Sequence, residues 1–245
     1  MIRRLTAGSV VRFAASPVVQ RALAVVARDR PSLLLGPLGW ALARNARFAG
    51  IRSWPSSVSS FADVAPLVLS SNDANRGVAS MSLEEAAHLW RLAAGAHGVI
   101  AELGRERGGS TFLLAAAMPE SSTLVSFDPQ GKLGTDRWDD ELREALRRYG
   151  LVERVMISLE DSHVAAVPEG LVLVLVDGDP SYEGTKLDFE RFCLALAPGG
   201  HALFHDAVGG GPRRVQLAPL LDEIERGGRF DRQPDVGTFA HFVRR

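Results

Sequence analysis

The sequence predicts an α/β fold in which a doubly wound, mostly parallel sheet is covered by helices on both faces. Strand-like and helix-like segments alternate from residue 82 to the C-terminus. The strand-like segments are almost continuously apolar, as in LVLVLVD over residues 171–177, so neither face of these strands is expected to meet water. This combination is typical of a parallel sheet between two helical layers.

The N-terminal part of the chain differs from the rest in its charge. Residues 1–52 contain nine arginines and a single acid, Asp29, whereas the whole chain of 245 residues has a formal net charge of −1. We therefore divide the chain into a basic, helical extension over residues 1–75 and a larger α/β domain over residues 76–245. The extension is interpreted either as a helical cap or homo-oligomer contact, or as a peripheral membrane contact.

The composition argues against several classes of protein. The nearly neutral net charge argues against nucleic-acid binding, and no apolar run reaches the roughly 18 residues of a membrane span. The single cysteine, Cys193, lies in an apolar helical pattern and cannot form an internal disulfide, so it is predicted to pack in the core. Nothing indicates an oxidising compartment, and a cytoplasmic location is expected.

The predicted elements follow one another regularly. Ser82 and Glu85 form a capping box that predicts the start of a helix through AAHLWRLAA. Strands are predicted over residues 98–103, 122–128, 153–158, 171–177, 201–206 and 238–245. Further helices are predicted over residues 110–118, 137–150, 186–200 and 216–227, the last with Pro219 in its first turn.

Polar side chains follow the ends of the predicted strands. They are Glu102, Asp128, Asp161, Asp177, His205 and Asp206. Ligands of open parallel sheets bind beyond the carboxyl ends of the strands, where these side chains fall. The sequence therefore predicts that they gather around one crevice.

The segment ELGRERGGST, residues 102–111, joins the first of these strands to a helix that begins at Ser110. Glycines in such a segment let the backbone turn tightly and approach a ligand. Their spacing, Gly104, Gly108 and Gly109, is not that of the dinucleotide motif G-x-G-x-x-G, and no basic residue is placed to hold a pyrophosphate. The alternative is a simple glycine turn.

Two acids after the next strands are candidate nucleoside contacts. Asp128 lies 24 residues beyond Gly104, near the offset of about 20 residues at which ribose-binding acids occur. A solvated loop aspartate is the alternative. Asp161 and Ser162 could contact an adenine, or Asp161 could equally cap the turn that follows it.

The segments VDGDPSYEG and FHDA supply a candidate metal site. Asp177, His205 and Asp206 offer two carboxylates and an imidazole, which suit Mg²⁺ or Mn²⁺. Such an ion would lower the pKa of a substrate hydroxyl, and Asp179 would be close enough to take the proton. Alternatively, the two aspartates form turns and the histidine caps a strand.

These segments, from ELGRERGGST through SFDP and EDS to VDGDPSYEGTKLDFERFCLALAPGGHALFHD, resemble the class I S-adenosylmethionine-dependent methyltransferases. In particular, they are similar to macrocin-type O-methyltransferases and cephalosporin-hydroxylase-like proteins, over roughly residues 75–245. The resemblance implies a seven-stranded, Rossmann-like fold. It also implies methylation of a hydroxyl on a small molecule, in particular a sugar or glycosylated natural product, with S-adenosylmethionine as cofactor and Mg²⁺ as metal.

The resemblance also implies roles for individual residues. The cofactor is assigned to Glu102, Gly104, Gly108, Ser110, Asp128, Asp161, Ser162 and Asp177. The metal is assigned to Asp177, His205 and Asp206, and catalysis to Asp177, Asp179 and His205. The family usually has D-G-D-H-S-Y, but Pro180 stands here in place of the histidine. If that histidine is the base in relatives, Asp179 or His205 must take its role.

Three other functions stay open at this point. An NAD-dependent oxidoreductase shares the alternating architecture but usually has the G-x-G-x-x-G motif. A non-catalytic binding protein on the same fold is mildly favoured by Pro180. An iron-dependent hydroxylase is compatible with a ligand set of two acids and one histidine.

Overall fold

The computed structural model describes residues 48–51, 54–68, 78–129, 136–209 and 212–245. The strands are β1 (Val99–Leu103), β2 (Thr123–Phe127), β3 (Val155–Ser158), β4 (Leu171–Val176), β5 (His201–Phe204), β6 (Phe230–Arg232) and β7 (Ala240–Arg244). The α-helices are α1 (Phe61–Val68), α2 (Leu83–Ala94), α3 (Gly109–Ala117), α4 (Asp136–Arg148), α5 (Tyr182–Arg191) and α6 (Pro212–Arg226). Short 3₁₀ helices span Phe48–Gly50, Val152–Arg154 and Cys193–Ala195.

All seven strands form one sheet in the order β3-β2-β1-β4-β5-β7-β6. Strands β1 to β5 pair in parallel, whereas β7 runs antiparallel to both β5 and β6. The predicted fold class, a doubly wound and mostly parallel seven-stranded sheet, is thereby confirmed. The chain reverses its direction of winding between β1 and β4, which places a crevice beside these two strands.

Alternate residues of each central strand pack into two separate cores. Ile100, Leu173 and Leu203 face the core that also contains residues of α2, α3 and α4. Leu103 and Val176 face the opposite core, with residues of α6 and the segment after α5. Because both faces are covered by helices, the central strands are largely apolar, as the sequence indicated.

Two helices have boundaries that differ from those expected. Helix α5 begins at Tyr182, because the side chain of Ser181 caps it by accepting a hydrogen bond from the backbone of Gly184. It ends at Arg191, so the predicted helix over residues 186–200 is wrong at both ends. Helix α6 begins at Pro212, a position at which a backbone N–H would have no partner within the helix. Pro219 therefore lies in the interior of α6 rather than in its first turn.

The start of the chain was expected to form short helices, and residues 1–47 lie outside the described part. Residues that follow pack on the α/β core. Phe48 and Val64 are buried there, and Trp54 contacts Phe112 with ring centroids 6.2 Å apart. Residues 210–211, in the glycine-rich segment that follows β5, also lie outside the described part.

Three histidines, on α2, β5 and β7, form a cluster in which His88 and His241 are buried and His201 is half-buried. His201 Nδ1 lies 2.9 Å from His241 Nε2, and the rings of His88 and His241 are 5.1 Å apart. Burial lowers the pKa of all three, and for His241, which also faces the other two, to about 4. The charged neighbours are Arg91 and Glu84, both near His88.

We expect this cluster to make the protein sensitive to acid. Histidine in an unfolded chain has a pKa near 6.5. Between pH 6.5 and about 4, His241 therefore binds a proton in the unfolded chain but not in the folded protein. His241 therefore leaves the free energy of unfolding unaffected above pH 6.5 and lowers it as the pH falls towards 4. Urea unfolding at pH 7 and pH 5 should show a larger drop for the wild type than for His241→Phe. Equal drops would contradict this assignment.

Candidate active site

Backbone hydrogen bonds extend the sheet one residue beyond the strands and align the predicted site at one edge. The N–H of Asp177 donates to the carbonyl of Leu103 at 2.8 Å, and the N–H of His205 donates to that of Val176 at 3.0 Å. On the other side of β1, the N–H of Asp128 donates to Ser158 at 3.1 Å. Asp128, Asp177 and His205 therefore lie at the carboxyl edge of the sheet, as expected.

The loop between β1 and α3 depends on glycine at two positions. Gly104 has a φ of +90°, and a Cβ there would collide with the backbone of Asp177. Gly108 has a φ of +82° and lies against the side chain of Leu142. The loop therefore approaches the end of β4 closely, as a ligand-binding loop at this edge requires.

Asp128, at the end of β2, stabilises the same loop by hydrogen bonds. Its Oδ2 accepts hydrogen bonds from the backbone N–H groups of Arg105, at 3.0 Å, and Glu106, at 2.8 Å. Glu106 has a φ of +43°, so the carboxylate of Asp128 stabilises a turn that a non-glycine residue rarely adopts. The side chain of Asp128 thus lies directly beside the loop assigned to the cofactor.

Arg105 is buried beneath this loop, a role that the sequence analysis missed. Its guanidinium makes a two-pronged ion pair with Asp139 of α4, with N–O distances of 2.9 and 3.0 Å. It also donates to the backbone carbonyls of Ser126 and Ser158, near the ends of β2 and β3. Arg105 therefore has a structural role, in which it joins the loop to α4 and to the ends of β2 and β3.

Glu102 is fully buried and serves as an anchor for the loop. Its carboxylate accepts hydrogen bonds from the hydroxyls of Ser110 and Thr111, at the start of α3, and of Ser126 on β2. Burial raises its pKa, while these three hydroxyls act in the opposite direction. Glu102 and Ser110 thus fix where α3 begins, and both side chains face the protein interior.

The loop after β3 folds on itself rather than extending. The Oδ1 of Asp161 accepts a hydrogen bond from the backbone of His163 at 3.0 Å, so the turn-capping interpretation of Asp161 is observed. Ser162 donates its hydroxyl to Asp188 of α5 at 2.7 Å. Asp188 is buried, which raises its pKa to about 6 against the effects of Ser162 and His163. The loop is thereby tied to α5.

Asp177, His205 and Asp206 form a compact cluster. One potential ligand atom from each lies within 4.8 Å of the others. His205 Nδ1 is 3.0 Å from Asp177 Oδ1, and Asp206 occupies a left-handed conformation with a φ of +56°. Burial opposes protonation of His205, but the charge and hydrogen bond of Asp177 outweigh it and raise its pKa to about 10.

Asp179 lies in the same small pocket as the cluster. The pocket is lined by Val176, Asp177, Gly178, Asp179, Pro180, Thr185, Phe204, His205 and Leu217. The Oδ1 of Asp179 accepts a hydrogen bond from the backbone of Ser181 at 2.9 Å, which fixes the carboxylate at the start of α5. The predicted catalytic residues Asp177, Asp179 and His205 therefore line one pocket, together with Pro180.

Glu85 of α2 also contacts the cluster, although its sequence pattern did not place it at the site. Its Oε2 lies 3.9 Å from His205 Nε2, on the side of the ring opposite Asp177. Burial raises its pKa, but hydrogen bonds from His205, Ser82 and Thr238 outweigh burial and lower it. Sequence reasoning identified Glu85 as part of a capping box, which is also observed.

A sheet of this order, with a crevice beside β1 and β4 and an acid at the end of β2, is the fold of a class I methyltransferase. Residues 101–207 match the sequence profile of a family described as a methyltransferase domain. The chain therefore contains a methyltransferase domain. No curated protein is detectably similar to the chain in sequence.

Solved structures show the same fold at low sequence identity. A methyltransferase from Geobacter sulfurreducens has a TM-score of 0.55 and 20% identity, covering 67% of this chain and 80% of its own. An O-methyltransferase from Bacillus cereus, in complex with SAH, has a TM-score of 0.52 and 16% identity, with 67% and 82% covered. A cofactor-bound protein from MTB has a TM-score of 0.52 and 18% identity, with 67% and 81% covered.

Among the described residues, none of the helices combines the length and the apolar character that crossing a bilayer requires.

Proposed function

We propose that the chain is an O-methyltransferase that methylates a hydroxyl of a small molecule, in particular a sugar or glycosylated natural product, with the help of a divalent metal. The observation that carries the proposal is the cluster of Asp177, His205 and Asp206 next to the glycine loop. Two structures with the same fold, an O-methyltransferase in complex with SAH and a cofactor-bound protein, support the proposal. The narrower likeness to macrocin-type enzymes stays a prediction.

The cofactor would lie between the glycine loop and the end of β2. S-adenosylmethionine supplies an electrophilic methyl group on a positively charged sulfur. The backbone of Gly104 and Gly108 would contact its methionine part, and Asp128 would accept hydrogen bonds from the ribose hydroxyls. Glu102 and Ser110 would act through the loop that they anchor, and Asp161 and Ser162 would border the adenine. An acidic crevice attracts a sulfonium cation.

The residues at the end of β4 and β5 fit a divalent ion. Two ligand atoms that bind one ion at right angles with bonds of about 2.1 Å lie about 3 Å apart. Asp177 Oδ1 and His205 Nδ1 have this separation, 3.0 Å. Asp177, His205 and Asp206 would hold the ion, and the mixed oxygen and nitrogen set suits Mn²⁺ as well as Mg²⁺. A bound ion would lower the pKa of the acceptor hydroxyl.

The reaction itself requires one base and good alignment. The acceptor oxygen attacks the methyl carbon, the carbon–sulfur bond breaks, and the hydroxyl proton is released. Asp179 is the residue placed to accept that proton, because its carboxylate lines the pocket. His205 is the weaker candidate, since its Nδ1 would hold the ion and its Nε2 faces Glu85. Alignment of the reactants would supply up to about 7–11 kcal/mol.

The charge of the pocket also bears on the acceptor. The pocket is lined by Asp177 and Asp179, and Asp206 adjoins it. A bound divalent ion would offset the charges of Asp177 and Asp206, but Asp179 would still repel an anionic acceptor and would not repel a neutral polyol. A sugar hydroxyl is therefore a better candidate than a carboxylic acid or a phosphate ester.

Replacement of Asp128 tests the cofactor site. Asp128→Ala removes a charged acceptor from the ribose and should weaken SAH binding by about 1–3 kcal/mol, measured by isothermal titration calorimetry. Asp231→Ala, which changes an exposed acid of the distant strand β6, serves as the control. Unchanged affinity in Asp128→Ala would show that the ribose lies elsewhere.

A ligand screen tests the class of reaction. SAH should raise the melting temperature of the protein, because it binds only the folded chain, whereas NAD should not. Transfer of a labelled methyl group from S-adenosylmethionine to a panel of sugars and glycosides would then identify the acceptor. Stabilisation by NAD alone would contradict the proposal, and binding of SAH without turnover of any acceptor would favour the non-catalytic alternative.

A further inference from the structure

Glu85 occupies a place that helix capping alone does not explain. It lies in the first turn of α2, outside the matched residues 101–207, and only 3% of its surface is exposed. A capping glutamate needs to reach only the N–H of the cap residue, here Ser82. The side chain of Glu85 instead contacts residues from the other end of the chain.

Each carboxylate oxygen of Glu85 is held in a fixed direction. Oε1 accepts hydrogen bonds from both the backbone N–H and the hydroxyl of Thr238. Oε2 accepts a hydrogen bond from the N–H of Ser82 at 2.6 Å and faces His205 Nε2 at 3.9 Å. Gly237 has a φ of +60°, and a Cβ there would overlap the carboxylate, so the turn leaves space for Glu85.

On the side away from the pocket, His205 is covered by Glu85 and Phe239. Its ring packs against Phe239 with centroids 5.1 Å apart, and its side chain is 7% exposed. Nδ1 faces Asp177 Oδ1. Thr238 also accepts a hydrogen bond from the N–H of Asp206 at 3.2 Å. The same turn therefore connects Glu85 to two of the three proposed metal ligands.

We propose that Glu85 is a positioning residue for the metal site. Its carboxylate, 3.9 Å from His205 Nε2, attracts the N–H at that nitrogen and so favours the ring orientation in which Nδ1 faces Asp177, where both can bind one ion. Histidines that bind metals usually donate their other N–H to a carboxylate or carbonyl, which fixes the orientation of the ring. The proposal rests on the proposed function, because it assumes that Asp177, His205 and Asp206 hold a divalent ion.

The affinity for Mn²⁺ alone, measured by electron paramagnetic resonance, tests this proposal without any acceptor. Glu85→Ala should weaken Mn²⁺ binding by about 10- to 100-fold, the usual effect of losing such a partner. Ser82→Ala breaks the same capping box from its other end but does not touch His205. It should leave Mn²⁺ affinity unchanged. SAH affinity should stay the same in both variants.

Glu85→Gln is a second variant for the case in which Glu85→Ala does not fold. It keeps the shape of the side chain and one acceptor oxygen. It should show a smaller loss of Mn²⁺ affinity, and so rescue part of the effect. Equal Mn²⁺ affinities for Glu85→Ala and Ser82→Ala would overturn the proposal. Absence of Mn²⁺ binding by the wild type would overturn it together with the metal part of the proposed function. The cofactor part is tested separately, by SAH binding.

Discussion

Asp177→Asn is expected to reduce methyl transfer by roughly 100-fold or more, the range in which loss of a positioned acid–base group lies, while SAH affinity changes little. The variant keeps the size of the side chain and the backbone hydrogen bond to Leu103. It removes the negative charge that faces His205 Nδ1 at 3.0 Å and one proposed metal ligand. Catalysis and Mn²⁺ binding should therefore fail while the fold persists.

The measurement combines three readouts on one protein. Methyl transfer is followed with labelled S-adenosylmethionine and the acceptor found in the panel, SAH affinity by calorimetry, and Mn²⁺ affinity by electron paramagnetic resonance. Asp222→Asn, an exposed acid of α6, is the matched control and should behave like the wild type. Equal loss of SAH binding and turnover in Asp177→Asn would mean that Asp177 has a structural role instead.

The part of the site that could be predicted is the part set by strand periodicity. Once a run of apolar residues identifies a buried parallel strand, the residue after it must lie at the carboxyl edge. Asp128, Asp177 and His205 follow from this rule alone, because the ladder of hydrogen bonds continues one residue past each strand. The order of the strands was not needed to place them at one edge.

The part that could not be predicted depends on contacts between distant residues. Glu85 and Thr238 are 153 positions apart, and Arg105 and Asp139 are 34 apart. No local pattern distinguishes an arginine that will be buried from one that will be solvated. β6 was missed because its three residues, FDR, are too short for a period of two to be recognised.

The second large effect is expected for stability. Asp139→Asn should lower the free energy of unfolding by about 3–5 kcal/mol, because it leaves the guanidinium of Arg105 buried without an opposing charge. The exposed fractions of the two side chains are 0% and 6%, so water cannot replace the lost carboxylate. Asp140→Asn changes the next residue on α4, whose carboxylate is 84% exposed. It should cost no more than about 0.5 kcal/mol.

Urea unfolding of both variants measures the difference, and a double variant identifies its cause. Arg105→Met combined with Asp139→Leu removes both charges, and apolar replacement of a buried ion pair is often nearly neutral. The double variant should therefore be more stable than Asp139→Asn alone, although the carbonyls of Ser126 and Ser158 lose a donor. Similar stabilities for Asp139→Asn and Asp140→Asn would contradict a buried, charged Arg105 and remove the support we infer for the loop beside Asp128.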